Sequence, residues 1–123
     1  MMVVATSGHR PDDERIYNKE IKSLLNTGYN ILYCSRSDGD MDLSTEHLNH
    51  VNVSRSATPI KNYIRFIQNT LAEKGQIEIL HIHEFDLLPL AKQMKKKNGI
   101  KVIYTFMIHC ELCGRHFHPK KDY

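Results

Sequence analysis

Three groups of side chains in this sequence have the types and spacing to do chemistry. Thr6-Ser7-Gly8-His9-Arg10 follows a short apolar run. Gly8 would let a ligand approach the backbone, while His9 and Arg10 can contact hydroxyls or phosphates. The plainer alternative is a turn whose glycine meets a backbone need and whose charges are solvated. His81-Ile82-His83-Glu84-Phe85-Asp86 closes a second apolar run. Strand alternation puts His81 and His83 on one face, with His83 nearest the strand's end, where it could orient a hydroxyl or carry a proton. His81 reads as a satisfied core histidine, and Glu84 and Asp86 as residues that help to start the next helix. The third group is Cys110 and Cys113 with His109, His116 and His118. These are zinc-ligand types, but most zinc sites separate two ligand pairs by a longer loop that this cluster lacks. No metal is therefore expected, with a zinc-binding tail as the alternative. One glycine is not G-x-G-x-x-G, so the dinucleotide fingerprint is absent and no cofactor is expected. Cys34 ends an apolar strand and reads as core rather than nucleophile.

The elements that must position these groups follow from the hydrophobic period. Val3 to Thr6 is a short strand, and from Glu14 the period becomes helical, with Tyr17, Ile21, Leu24, Leu25 and Gly28 on one stripe. Asp12 and Asp13 can cap that helix and Gly28 can stop it. Strands are read at Tyr29 to Cys34, Val51 to Val53, Ile77 to Ile82 and Ile100 to Tyr104, with loop from Ser35 to Asn49. A second helix follows Pro59 and ends before Gly75; a third runs from Phe85 to Lys97 and is broken by Asn98-Gly99. Strands alternating with single helices predict an α/β fold, a Rossmann-like parallel sheet with helices on both faces. Tyr17, Leu24, Ile64, Ile67, Leu88 and Ile103 are expected to be buried. In such a sheet, ligands bind beyond the carboxyl ends of the strands, where the first two polar groups lie.

The chain has 123 residues, 41% apolar and 25% charged, which is one domain's worth of ordinary globular composition. Its formal net charge of +3 is too small to argue for nucleic acid, and much of it sits in Lys95-Lys96-Lys97 and Lys120-Lys121. No apolar run approaches the roughly 18 residues of a membrane span, and no signal peptide opens the chain. Three cysteines, an odd number, do not make a disulfide framework. The expectation is a protein of the cytoplasm, free or at the inner face of the membrane.

Three segments in order resemble the amino-terminal domain of family-4 glycosyltransferases, two-domain retaining enzymes of the GT-B architecture. Thr6 to Glu20 is similar to the family's first loop and helix, with "D-x-R-I-x-x-K-E" at Asp13 to Glu20. Ser23-Leu24-Leu25-Asn26-Thr27-Gly28-Tyr29 is similar to its "S-L-x-x-x-G-Y". His81 to Leu90 resembles its "H-x-H-D-P-x-L-L-P-L". The resemblance implies an acceptor-side domain in the transfer of a sugar from a nucleotide sugar to a polysaccharide or lipid-linked acceptor. It implies that Gly8, His9 and Arg10 approach the acceptor or the donor phosphates, with His83 a lesser contact. The donor would be met only through a second domain that has no counterpart here, so the chain alone is expected to be inactive and to self-associate through the uncovered domain interface. The alternative is a non-enzymatic Rossmann-like binding module.

The register with the family stops at Tyr104. Relatives continue into "D-x-H-E", whereas Thr105-Phe106-Met107-Ile108 follows here. Residues 1–104 are accordingly expected to be the domain and 105–123 an irregular tail. A shifted reading frame would account for the sudden change, because one choice of codons for Thr105 to Ile108, moved by one base, reads Val-His-Asp.

Overall fold

Short apolar strands with one helix between them leave few ways to fold, and the chain takes the doubly wound one. The computed structural model describes residues 1–74, 76–96 and 100–105, with the strand backbones at 108–110, 115–117 and 120–122. Five parallel strands form the sheet: β1 (Met2–Ala5), β2 (Ile31–Arg36), β3 (Leu48–Val53), β4 (Ile79–Ile82) and β5 (Lys101–Thr105). Their spatial order is β3-β2-β1-β4-β5, and every pair among them is parallel. The chain winds outward from β1 to β3, then crosses back to lay β4 on the other side of β1. That reversal opens a crevice beyond the carboxyl ends of β1 and β4, the switch point where sheets of this kind hold ligands.

Helix α2 (Ile60–Lys74) and helix α3 (Leu88–Lys95) cover one face of the sheet. Tyr63, Ile67, Leu71, Leu90, Ala91 and Met94 pack there on Val3, Ala5, Leu32, Leu80, Ile82 and Val102. The other face is covered by α1, which is π-helical over Glu14–Ile21 and α-helical over Lys22–Asn26. Asp13 caps it by accepting from the Arg15 and Ile16 amides, and Gly28 leaves it with φ 88°. Asp12 does not cap; it pairs with Arg10 at 3.1 Å. No helix among the described residues is long and apolar enough to cross a membrane.

The apolar stripe of α1 is not the one that the 3.6-residue period predicts. Ile16 and Ile21 are buried, whereas Tyr17, Leu24 and Leu25 only pack at the margin of the core. The cause is the backbone: the Asn18 amide reaches back to the Asp13 carbonyl and the Lys22 amide to the Tyr17 carbonyl, each five residues away. The wider turn brings residues five apart onto one face. Of the other expected core residues, Ile67 is buried, while Ile64, Leu88 and Ile103 are half-buried. Strand β3 begins at Leu48, earlier than its alternation suggests, and β2 runs on to Arg36, leaving Tyr29 exposed.

Within 105–123, read from the sequence as irregular, β5 extends to Thr105 and three short strands follow: β6 (Ile108–Cys110), β7 (Arg115–Phe117) and β8 (Lys120–Asp122). Strands β6 and β7 pair with each other, and β8 lies antiparallel along β5. The side chains proposed as zinc ligands, Cys110, Cys113, His116 and His118 with His109, lie outside the described residues. So do Gly75 and the break at Asn98-Gly99.

Candidate functional site

The site builds up from the loop that leaves β1. Ala5 ends the strand, and Thr6 and Ser7 remain buried because the loop's backbone is held on every side. The Thr6 amide donates to the Cys34 carbonyl at 3.0 Å, and the Tyr63 hydroxyl donates to the Thr6 carbonyl at 2.7 Å. Arg36 donates through Nε to the Ser7 carbonyl at 3.0 Å and through Nη1 to the Thr58 carbonyl at 2.9 Å. Tyr33, from the opposite face, donates to the Pro11 carbonyl at 2.8 Å. Four residues of β2 and α2 thus fix a loop of polar residues, which limits its entropy and pre-orients what it presents.

The segment after β4 closes the other side of the crevice. Glu84 is the joint between the two: one carboxylate oxygen accepts from the Thr6 hydroxyl and from His9 Nδ1, and the other from the Ser7 amide at 2.7 Å. Asp86 accepts from the Ser7 hydroxyl at 2.5 Å. Neither acid caps the following helical turn, Phe85–Leu87, as expected from the sequence; no side-chain cap bond is made there. Burial pushes the Glu84 carboxyl up, but hydrogen bonds from His9, Thr6 and Ser7 outweigh it and hold it below its ordinary range. His9 is correspondingly raised above 6.5, chiefly by its hydrogen bond to Glu84, against the opposing effect of burial. The pairing thus favours the imidazolium–carboxylate form across the mouth of the crevice.

Gly8 is exposed, its φ lies outside the left-handed region, and a Cβ there would meet nothing within 4 Å. The turn therefore does not require glycine, and the space above this backbone is open to a ligand. Arg10 is exposed and, among the described residues, pairs with Asp12. Gly8, His9 and Arg10 are thus brought together at the mouth, while His83 lies deeper, on the α1 face of the sheet.

His83 belongs to a second constellation. It and His81 project from one face of β4 with ring centroids 4.2 Å apart, as alternation predicts. Between them and α1 stands Glu20, whose Oε1 lies 2.5 Å from His81 Nδ1 and whose Oε2 lies 3.2 Å from His83 Nε2. His81 Nε2 meets the Thr105 hydroxyl at 2.8 Å. Burial pushes Glu20 up, but the contacts of the two imidazoles, His81 first, more than offset it and hold the carboxyl at about 2. His81 is thus satisfied, as its sequence reading has it, yet by a carboxylate rather than by the core.

Glu20 and Glu84 are the two site residues that reasoning from sequence missed. The resembling "K-E" and "H-x-H-D" motifs contain both positions, which was the available signal. Cys34 is buried with its thiol pushed up to about 12, so it is core, not nucleophile. Two open concavities, about 470 and 350 Å³, lie away from the switch point along the loop between β2 and β3; the smaller reaches Arg10 and Pro11.

His9 and His50 titrate with opposite consequences. His50 Nδ1 accepts from the Leu43 amide at 3.0 Å, and Nε2 faces the Ser35 hydroxyl at 2.8 Å, so the ring is held neutral. Burial lowers its pKa from 6.5, partly offset by Asp42. Its contribution to stability is present above pH 6.5 and lost as the pH falls through its folded value. His9 contributes below pH 6.5, and loses that contribution as the pH rises through its raised folded value. Thermal melts across pH 5–8 should show His50→Gln flattening the acid limb and His9→Gln the alkaline limb, each by about 2–4 °C.

No family model matches this chain, and a search of curated proteins returns no relative.

Proposed function

We propose that the chain is the acceptor-side half of a GT-B glycosyltransferase, binding a glycan or lipid-linked acceptor in the crevice between β1 and β4. The observation that carries this reading is the joint at Glu84. It ties the loop of Thr6 to Arg10 to the segment after β4, the same two segments that resemble family-4 glycosyltransferases. Hydroxyl-rich ligands are recognised by fixed donors and acceptors of this kind, and the open backbone at Gly8 beside His9 and Arg10 offers them.

In this reading the residues have separate tasks. Gly8 admits the acceptor to the loop backbone, and Arg10 and His9 meet its hydroxyls or a phosphate. Glu84 favours the protonated form of His9 and fixes the position of its ring. Sugar transfer also needs a nucleotide-sugar site held against this one, since both reactants must be placed together. The described residues form one α/β unit, and this 123-residue chain, assayed by itself, is expected to bind acceptor without turning over nucleotide sugars. Phe85, 56% exposed and edge-on to Tyr104, stands at the carboxyl edge where a donor unit or a second copy would dock.

The test is a titration of the isotopically labelled chain with short oligosaccharides and with polyprenyl-phosphate sugars, read by amide chemical shifts. Perturbation confined to residues 6–10 and 83–86 is expected. Gly8→Ala should weaken binding roughly tenfold while leaving the melting temperature within about 1 °C, because the added methyl meets ligand rather than protein. Turnover of nucleotide sugars by this chain alone, or shifts centred on the loop at 37–42, would overturn the assignment.

A further inference from the structure

We propose that Glu20, His81 and His83 form a binding site for one divalent transition-metal ion of the zinc class. The inference stands apart from the sugar-transfer reading and rests on the α1 face of β4 alone.

One ligand atom from each of the three side chains lies within 4.8 Å of the other two. Two neutral imidazoles and a carboxylate on a tetrahedral ion, with bonds near 2.0–2.1 Å, would stand roughly 3.3 Å from each other. His83 Nε2 and Glu20 Oε2 already stand 3.2 Å apart, and Glu20 Oε1 and His81 Nδ1 need to separate from 2.5 Å. The two histidine nitrogens, within 4.8 Å of each other, must reach the same spacing, so rotations of the Glu20 side chain and of the rings complete the geometry.

A second observation points to a ligand. The His83 side chain is nine-tenths buried, and its Nε2 has no hydrogen-bond partner among the described residues. It faces the Glu20 carboxylate at close range but out of line for a hydrogen bond. A buried nitrogen in that state carries a desolvation cost that no aligned hydrogen bond offsets. The two rings stand 4.2 Å apart centre to centre on the same side of the sheet, so one ion can reach both. A cation that accepts a lone pair from each ring and binds the carboxylate gives that nitrogen a partner.

The surroundings suit such an ion. Thr105 holds His81 Nε2 at 2.8 Å, which leaves Nδ1 as the ligating atom and fixes the ring's plane. Two nitrogens and one oxygen select zinc-class metals over calcium or magnesium, which take oxygen ligands. Three protein ligands leave a position for water or a substrate hydroxyl. The Glu20 side chain is 20% exposed, which gives an entry path from solvent.

The experiment uses the full 123-residue chain, stripped with chelator and titrated with Zn²⁺ and with Co²⁺. Calorimetry gives the stoichiometry, and two-dimensional NMR of the histidine ring nitrogens identifies the ligands on the unsubstituted protein. Saturable uptake that shifts the His81 and His83 rings is expected, with a cobalt spectrum free of thiolate charge transfer for that site. Glu20→Gln and His83→Asn should each weaken it roughly tenfold or more, and Thr105→Val by about tenfold. A Cys110→Ser/Cys113→Ser variant should leave it unchanged. The ring signals decide even where a substituted chain fails to fold. Absence of uptake, ring shifts confined to other histidines, or uptake abolished by the cysteine variant alone would overturn the site.

Discussion

Glu84→Ala is expected to destabilise the protein by about 2–3 kcal/mol, because it breaks a half-buried charge pair and orphans a buried amide together. Glu84 is the acceptor for the Thr6 hydroxyl, the Ser7 amide and His9 Nδ1. The Ser7 amide belongs to a residue 1% exposed, so water cannot take the carboxylate's place without opening the loop. Urea unfolding should show a lower midpoint at unchanged slope, as expected when stability rather than compactness changes. Glu84→Gln keeps one acceptor oxygen but turns a donor toward the Ser7 amide or His9, so it should fall between the two. The pH dependence gives an independent check. The folded carboxyl titrates below its unfolded 4.5, so its contribution is complete above pH 4.5 and is lost as the pH falls through the folded value. The alanine variant should therefore lose less stability than the parent on going from pH 6 to pH 3. A loss under about 1 kcal/mol at neutral pH would mean that the β1 loop is held by its backbone contacts alone.

The order of strands and helices was legible because each element buries a face at its own period. Val3, Leu80, Ile82 and Val102 advertise strands, and Tyr63, Ile67 and Leu71 advertise a helix. The π-helical start of α1 was not legible. Nothing in Glu14 to Ile21 departs from α-helical composition, so the wider turn that sets Ile16 and Ile21 on one face has no local signal. The site was legible by position and not by partner. Sequence reasoning placed Gly8, His9, Arg10 and His83 at the carboxyl edge, since a parallel sheet puts its strand-end loops there. The groups that set their chemistry are remote in the chain: Glu84 lies 77 residues from Ser7, and Glu20 lies 61 from His81. Local pattern assigns an acidic residue before a helix to capping, and only the sheet register shows that Glu84 reaches sideways to the neighbouring strand's loop. The resemblance to glycosyltransferases marked both acids as motif positions without saying what they hold.

Tyr63 is where the packed face of the sheet and the site meet, and its truncation is expected to have the largest effect of any single change to the site's support. The ring is fully buried among the side chains between α2 and the sheet, and its hydroxyl donates to the Thr6 carbonyl at 2.7 Å. Tyr63→Ala removes an aromatic ring from a closed core, which costs about 3–5 kcal/mol, and leaves the Thr6 carbonyl to find another donor. Tyr63→Phe isolates the second part. The ring and its packing stay, and the lost hydrogen bond should cost about 1–2 kcal/mol, since the carbonyl is left buried without that donor. The two variants also differ in where they act. Hydrogen exchange in Tyr63→Phe should speed up at the amides of residues 6–10, which the hydroxyl helps to fix, with the centre of α2 unchanged. In Tyr63→Ala it should speed up across α2 and β1 alike, because the cavity weakens the whole cluster. Ligand affinity then separates preorganisation from contact. Tyr63 is too deep to touch anything in the crevice, so a phenylalanine variant that binds oligosaccharide more weakly does so through the looser loop alone. Equal exchange at residues 6–10 in the parent and the phenylalanine variant would show instead that Arg36 and Glu84 suffice to hold the loop, and that Tyr63 serves the core only.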